Sequence, residues 1–236
     1  MTRVLDIAET RGEANHGWLY SRHTFSFADY HNPQRMGFGL LRVINDDLVA
    51  PSGGFPTHPH KNMEIISIPL AGSLGHEDSM GNKHVIHAGE IQLMSAGTGV
   101  AHSEQNNSDS EKVNFLQIWV MPKKINIEPR YEQKEINKEK MHNSFNLIIA
   151  PMGTDSVVGI NQDAYFSIAK IDAGKTIDYI KHDDNNGVYM FLIDGNINIG
   201  AQELSKRDGV GISEEDSLKI KAHESSEILC IEVPMQ

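Results

Sequence analysis

A chain of 236 residues with 39% hydrophobic and 22% charged content has the makeup of a folded globular protein, which argues against disorder and against a membrane class. Its 32 acidic and 21 basic residues give a formal charge of -11, a surface that repels a phosphate backbone and speaks against direct nucleic-acid binding. No stretch approaches the roughly 20 apolar residues of a spanning helix. The N-terminus lacks the apolar core of a secretory signal and the single cysteine cannot form an internal disulfide, so a cytoplasmic setting is expected.

The length suits one large β domain or two of about a hundred residues each. In chain order, Arg3-Val-Leu-Asp-Ile reads as an edge strand, followed by a polar loop and an aromatic group of Trp18, Tyr20, Phe25, Phe27 and Tyr30 expected to pack in a core. His16, His23 and His31 in the same region are read as structural. Short β segments follow at 38–44, 63–70, 84–87, 91–94 and 113–120, separated by turn signals such as Pro51-Ser-Gly-Gly, Ala71-Gly72 and Ala88-Gly89. This spacing predicts an antiparallel barrel or sandwich. In the last segment Phe115, Gln117 and Trp119 share one face, and the polar Gln117 is a candidate to look inward.

Pro122 closes this unit. The stretch from Lys123 to Lys140 alternates lysines with Glu128, Glu132, Glu135 and Glu139 and reads as a solvated connector. Further β segments at 165–171, 188–193, 197–199, 218–221 and 228–233 make a second half that looks like a repeat of the first, with Cys230 as a small buried hydrophobe. The division is placed at 1–135 and 136–236.

Chemistry concentrates in two stretches. Residues 53–64, Gly-Gly-Phe-Pro-Thr-His-Pro-His-Lys-Asn-Met-Glu, place His58 and His60 two apart, on one face of an extended chain. Glu64 would join that face if the strand stayed regular. Residues 89–104 lead through a Gly-x-Gly turn to His102 and Glu104, again two apart. Three imidazoles and a carboxylate from two strand-like segments suit a divalent transition metal with open positions for water or substrate. Spacing alone does not choose between Glu64 and Glu104. His76, His84 and His87 flank the 78–82 turn and are read as structural or surface groups. Aligning Ala71-Gly72 with Asp194-Gly195 puts Lys181, Asp183 and Gly187 where His58, His60 and Glu64 stand, so the second half has lost the ligands. Ten of the 12 histidines precede residue 143, in keeping with one metal in the first barrel.

The paired motifs resemble those of the cupin superfamily. Together with Arg22-His-Thr-Phe-Ser-Phe-Ala-Asp-Tyr30, Pro56-Thr-His-Pro-His60, Met94-Ser-Ala-Gly-Thr-Gly-Val-Ala-His-Ser-Glu104 and Phe115-Leu-Gln-Ile-Trp-Val-Met-Pro122, they look like a pirin. That resemblance implies an all-β chain of two tandem cupin jelly-roll barrels, with one metal in the N-terminal one held by His58, His60, His102 and Glu104. It implies a metal-dependent dioxygenase that cleaves a flavonol such as quercetin with O2 and releases CO, Glu104 acting as general base. Iron is the expected metal, with copper, nickel, manganese, cobalt or zinc also suited to such donors. The alternative is a non-enzymatic, metal- and redox-dependent regulator acting through a protein partner, as in eukaryotic pirins.

Overall fold

Alternation of apolar and polar residues carries most of the chain into strands, and the computed structural model, which describes residues 2–155 and 157–236, pairs them into four sheets. The larger sheet of the first half runs in the order β12 (Arg130–Glu135), β9 (Glu90–Ser95), β6 (Glu64–Ala71), β11 (Val113–Val120), β4 (Leu41–Val49), β3 (Leu19–His23), β2 (Gly12–Asn15). It faces a small sheet of β5 (Gly54–His60), β10 (Val100–Asn106), β7 (Ser73–Asp78) and β8 (Lys83–His87). The second half repeats the plan. Its large sheet is β1 (Thr2–Asp6), β20 (Gly209–Ser213), β17 (Asn186–Asp194), β22 (Ser226–Pro234), β15 (Tyr165–Ile171), β13 (Asn146–Pro151), β14 (Val158–Ile160), and its small sheet is β16 (Thr176–Ile180), β21 (Ser217–Ala222), β18 (Asn196–Ile199), β19 (Gln202–Ser205). The result is all-β, two jelly-roll barrels in tandem. Among the described residues the helical content is one 3₁₀ turn, Ala8–Thr10, and no helix is long and apolar enough to cross a membrane.

Each strand's pattern reports its place. β21 alternates exposed and buried residues because one face meets water, whereas β17 is buried from Asn186 through Ile193 because it is covered on both sides. Its outer cover is the first half: Ile44, Ile66 and Ile118 of one large sheet pack with Phe166, Phe191, Leu229 and Ile231 of the other in a single core cluster. The halves therefore join through apolar sheet faces.

Two sequence expectations change here. The edge strand at residues 2–6 forms, but on the second half's sheet: β1 pairs antiparallel with β20, and Tyr189 donates a 2.9 Å hydrogen bond to the buried Asp6. The stretch expected as a solvated connector contains β12, which pairs with β9 from Arg130↔Ser95 to Glu135↔Glu90. Its sequence shows no apolar face because it is an edge strand, where charges are tolerated and discourage further pairing. Glu132 bonds Arg130 at 2.5 Å and Lys134 at 3.0 Å, and it accepts from the Gly159 N–H across the seam.

The barrel interiors differ. The second is filled by Ile177, Val188, Met190, Leu218 and Ile220 with their neighbours. The first has two smaller apolar clusters, one of Leu19, Val49, Leu74, Ile86, Val113 and Phe115, the other of Ile65, Met94, Ala96 and Val100. Between them runs a polar tier fixed by register. His23 lies opposite Asn45, Asn45 opposite Gln117, Gln117 opposite Ser67 and Ser67 opposite Gln92, so all five share the inner face, and all are buried. The site sits against this tier.

Candidate metal centre

β5 and β10 pair antiparallel with His58 directly opposite His102 and His60 opposite Val100. The two-residue spacing puts His58 and His60 on the inner face, and the register brings His102 between them. Ring centroids lie 4.8 Å apart for His58 and His60, 4.6 Å for His58 and His102, and 4.9 Å for His60 and His102. Each imidazole offers a nitrogen, and these nitrogens lie within 4.8 Å of one another. No other metal-competent group of this kind occurs among the described residues.

A β-bulge sets what else faces in. Glu104 lies opposite Phe55, so β5 carries one more residue than β10 between this pair and the His58–His102 pair. Pro56, which has no N–H for the ladder, falls in the extra segment. Phe55 thereby joins the interior against Trp18 and Phe115 while His58 and His60 keep their common face.

Proton positions follow from the donors. His58 Nδ1 lies 2.8 Å from the Pro56 carbonyl oxygen, which only a ring N–H can satisfy, leaving Nε2 with its lone pair. His102 is 1% exposed, and its buried Nε2 has no hydrogen-bond partner among the described residues. Burial, and then the neighbouring His58, hold the His60 pKa down at about 4. Burial, followed by His58, His60 and His76, holds that of His102 down at about 2. Neutral imidazoles with a buried orphan nitrogen are what a metal ligand set requires, and the donors fit one divalent ion.

The two candidate carboxylates separate. Glu64 does not reach the site, because the chain leaves β5 at His60, turns through Asn62 in the left-handed region (φ 50°) and enters β6 in the opposite sheet, which resets the parity. Its neighbour Ile65 faces the interior, and Glu64 instead accepts from Ser95 Oγ at 2.7 Å and from the Asn161 N–H at 3.2 Å, at the seam between the halves. Glu104 lies on the inner face, 1% exposed, and accepts from Ser67 Oγ at 3.0 Å and Gln117 Nε2 at 2.6 Å. It is held on these two donors and is not part of the three-imidazole group. Burial raises its pKa, against the lowering effects of Ser67, His76 and Gln117. Gln117 does look inward, as its polarity on an apolar strand suggested.

Sequence reasoning missed several neighbours. Trp119 stands edge-on to His60 at 5.1 Å, and Phe27 edge-on to Trp119 at 5.3 Å. Phe27 was expected in a core and instead builds the site wall; Phe25 is the member of that aromatic group that is deeply buried. His76, read as structural or surface, is buried behind His102, and Asp78, two residues on, lies 3.1 Å from its Nε2. That His-x-Asp spacing was the available signal. His84 and His87 are exposed, His84 stacked on Tyr131.

In the second half β16 ends at Ile180, so Lys181 and Asp183 lie beyond the strand. That end of the barrel is closed by Glu232, which accepts from Tyr179 Oη at 2.9 Å, the His182 N–H at 2.9 Å and the Asp183 N–H at 2.9 Å.

Three imidazoles from paired strands, held in the first of two jelly-roll barrels, define a bicupin metalloprotein with a site for one divalent ion. The chain belongs to the pirin family: residues 5–120 match the family model Pirin, and residues 147–233 match the model of the quercetinase C-terminal cupin domain. It is 42% identical over 228 residues to a quercetin 2,3-dioxygenase of Escherichia coli K12, covering 96% of each chain, and 38% identical over 222 residues to a pirin-like protein of Caulobacter vibrioides, covering 94% of this chain and 95% of that one. Among solved structures, the bacterial pirin YhhW from Escherichia coli in complex with nickel(II) superposes with a TM-score of 0.93 at 40% identity, covering 99% of both chains.

Proposed function

We propose that this chain opens a flavonol such as quercetin with dioxygen and releases carbon monoxide, with His58, His60, His102 and Glu104 as the ligands of one metal ion. The observation that carries the reading is the juxtaposition of three imidazoles with a buried carboxylate of raised basicity, beside an aromatic wall. A bound iron ion, our choice among the metals such donors accept, would supply Lewis-acid polarisation of a substrate hydroxyl and electron exchange with dioxygen.

The protein groups do the rest. Glu104 takes the proton of the substrate hydroxyl: burial raises its affinity for that proton, and Ser67 and Gln117 hold it in place. Trp119 and Phe27 present an edge and a face that fix a flat polyphenol against His60. The Pro56 carbonyl locks the ring of His58. The relatives named quercetin 2,3-dioxygenase support this substrate class.

Quercetin absorbance should fall in air and not under argon, with carbon monoxide trapped as its haemoglobin complex. Equal loss with the His102→Ala variant would reduce the reaction to adventitious oxidation. No turnover with any loaded metal would favour the regulatory alternative.

A further inference from the structure

Behind the three imidazoles lies a second layer that the metal site does not include. β7 pairs with β10 so that Asp78 is opposite His102 and His76 opposite Glu104, placing all four on the inner face. His76 Nδ1 lies 3.5 Å from His102 Nδ1, and His76 Nε2 lies 3.1 Å from Asp78 Oδ2. Asp78 is held in turn: Oδ1 accepts from the Met80 N–H at 2.9 Å and the Asn82 N–H at 3.1 Å, and Oδ2 accepts from Asn82 Nδ2 at 2.9 Å. The side chains of His76 and Asp78 are fully buried, and the ring of Tyr131 lies 4.9 Å from that of His76.

We propose that Asp78 and His76 form a positioning relay that fixes the tautomer of His102 so that its Nε2 lone pair faces the metal. Asp78 Oδ2 can only accept, so His76 Nε2 carries the proton and His76 Nδ1 carries the lone pair. That lone pair accepts from His102 Nδ1–H, and His102 Nε2 is left unprotonated. This agrees with His102 Nε2 being the buried nitrogen that has no partner among the described residues. The reverse order fails, because a proton on His76 Nδ1 would require His102 Nδ1 to accept, moving the His102 proton onto the nitrogen that must bind the ion. His58 gains the same constraint from the Pro56 carbonyl, so two of the three imidazoles have their tautomers set from behind, the arrangement by which outer groups orient metal ligands and raise their basicity.

The inference rests on the metal reading, and one experiment separates the two. Nickel(II) affinity is measured by competition with a chromogenic chelator, the cobalt(II) absorption spectrum reports ligand geometry, and circular dichroism of the apoproteins reports folding. His76→Phe keeps a ring but removes the acceptor; its affinity should fall by about 10- to 100-fold with an altered cobalt spectrum. His76→Gln restores an acceptor toward His102 and a donor toward Asp78, and should recover affinity and spectrum together. A packing role predicts the opposite order, since Phe resembles His in shape more than Gln does. Should His76→Phe not fold, Asp78→Asn replaces it: an amide nitrogen facing His76 Nε2 reverses the chain of donors and should weaken the metal equally. Affinity unchanged in His76→Phe or Asp78→Asn, or lost equally in His76→Gln, overturns the relay. Wild-type protein that binds neither ion overturns the metal reading as well.

Discussion

Gln117 Nε2 donates to Glu104 Oε2 at 2.6 Å, a bond that crosses the first barrel from its large sheet to its small one. It holds a carboxylate that would otherwise share a desolvated interior with Asp47, whose own pKa burial drives up to about 7 despite the Ser21 hydrogen bond, with Glu104 and then Asp46 adding to the rise. Two buried carboxylates with raised proton affinity, a neutral amide and a hydroxyl thus form the floor beneath the imidazoles.

Replacing Gln117 with Leu leaves Glu104 with one of its two donors. An unsatisfied buried acceptor costs about 1–3 kcal/mol, more when charged, so urea unfolding should show a loss of at least that size at neutral pH. Flavonol turnover should fall about tenfold or more, since each 1.4 kcal/mol in a barrier is a factor of ten. Wild-type turnover in Gln117→Leu would remove Glu104 positioning from the mechanism.

The choice of carboxylate is tested by Glu104→Gln and Glu64→Gln. Glu64 is committed to Ser95 and Asn161, so Glu64→Gln should keep close to one ion per chain by inductively coupled plasma analysis. Glu104→Gln should bind metal more weakly and lose oxygenase turnover. The reverse pattern would displace Glu104 as ligand and leave the family assignment intact.

Asp47 gives stability a sign with pH. Its folded pKa of about 7 stands above the ordinary aspartate value of 3.8, so the folded state holds the proton more tightly than the unfolded state does. The contribution is complete below about pH 4 and is lost as pH rises towards 7, by an amount on the order of 2–4 kcal/mol. Asp47→Asn, which cannot ionise, should match wild type at pH 4 and exceed it in urea unfolding at pH 8. The same difference at both pH values would refute the assignment.

The division placed at 135/136 falls between β12 and β13, strands of different sheets, and we expect it not to be a boundary of folding. Residues 136–236 alone would lack β1 at the edge of their large sheet and would expose Phe166, Phe191, Leu229 and Ile231, an apolar patch larger than monomers usually leave in water. That fragment should bind a hydrophobic dye and unfold without cooperativity. A sharp two-state transition would show that the half is autonomous.

Some of this protein is written locally. The strands 113–120 and 165–171 were readable residue for residue because apolar side chains recur along them. That His58 and His60 share a face was readable, because a two-residue spacing on an extended chain places side chains on one face whatever lies around it, whereas His102 meets them through the register of β10 against β5. Tertiary structure decided the rest, because it depends on partners distant in sequence. The first strand shows only a short apolar run, and its membership in the second half's sheet comes from β20, some two hundred residues away. β12 has no apolar face to announce it. Glu64 keeps the right parity along the chain and loses it where Asn62 turns the backbone into another sheet. His76 acquires a role only because β7 lies beside β10, so that a residue set aside for lacking a histidine at two residues' distance is pressed between Asp78 and His102. Spacing along one strand determines which side chains share a face; register between strands determines what they meet there.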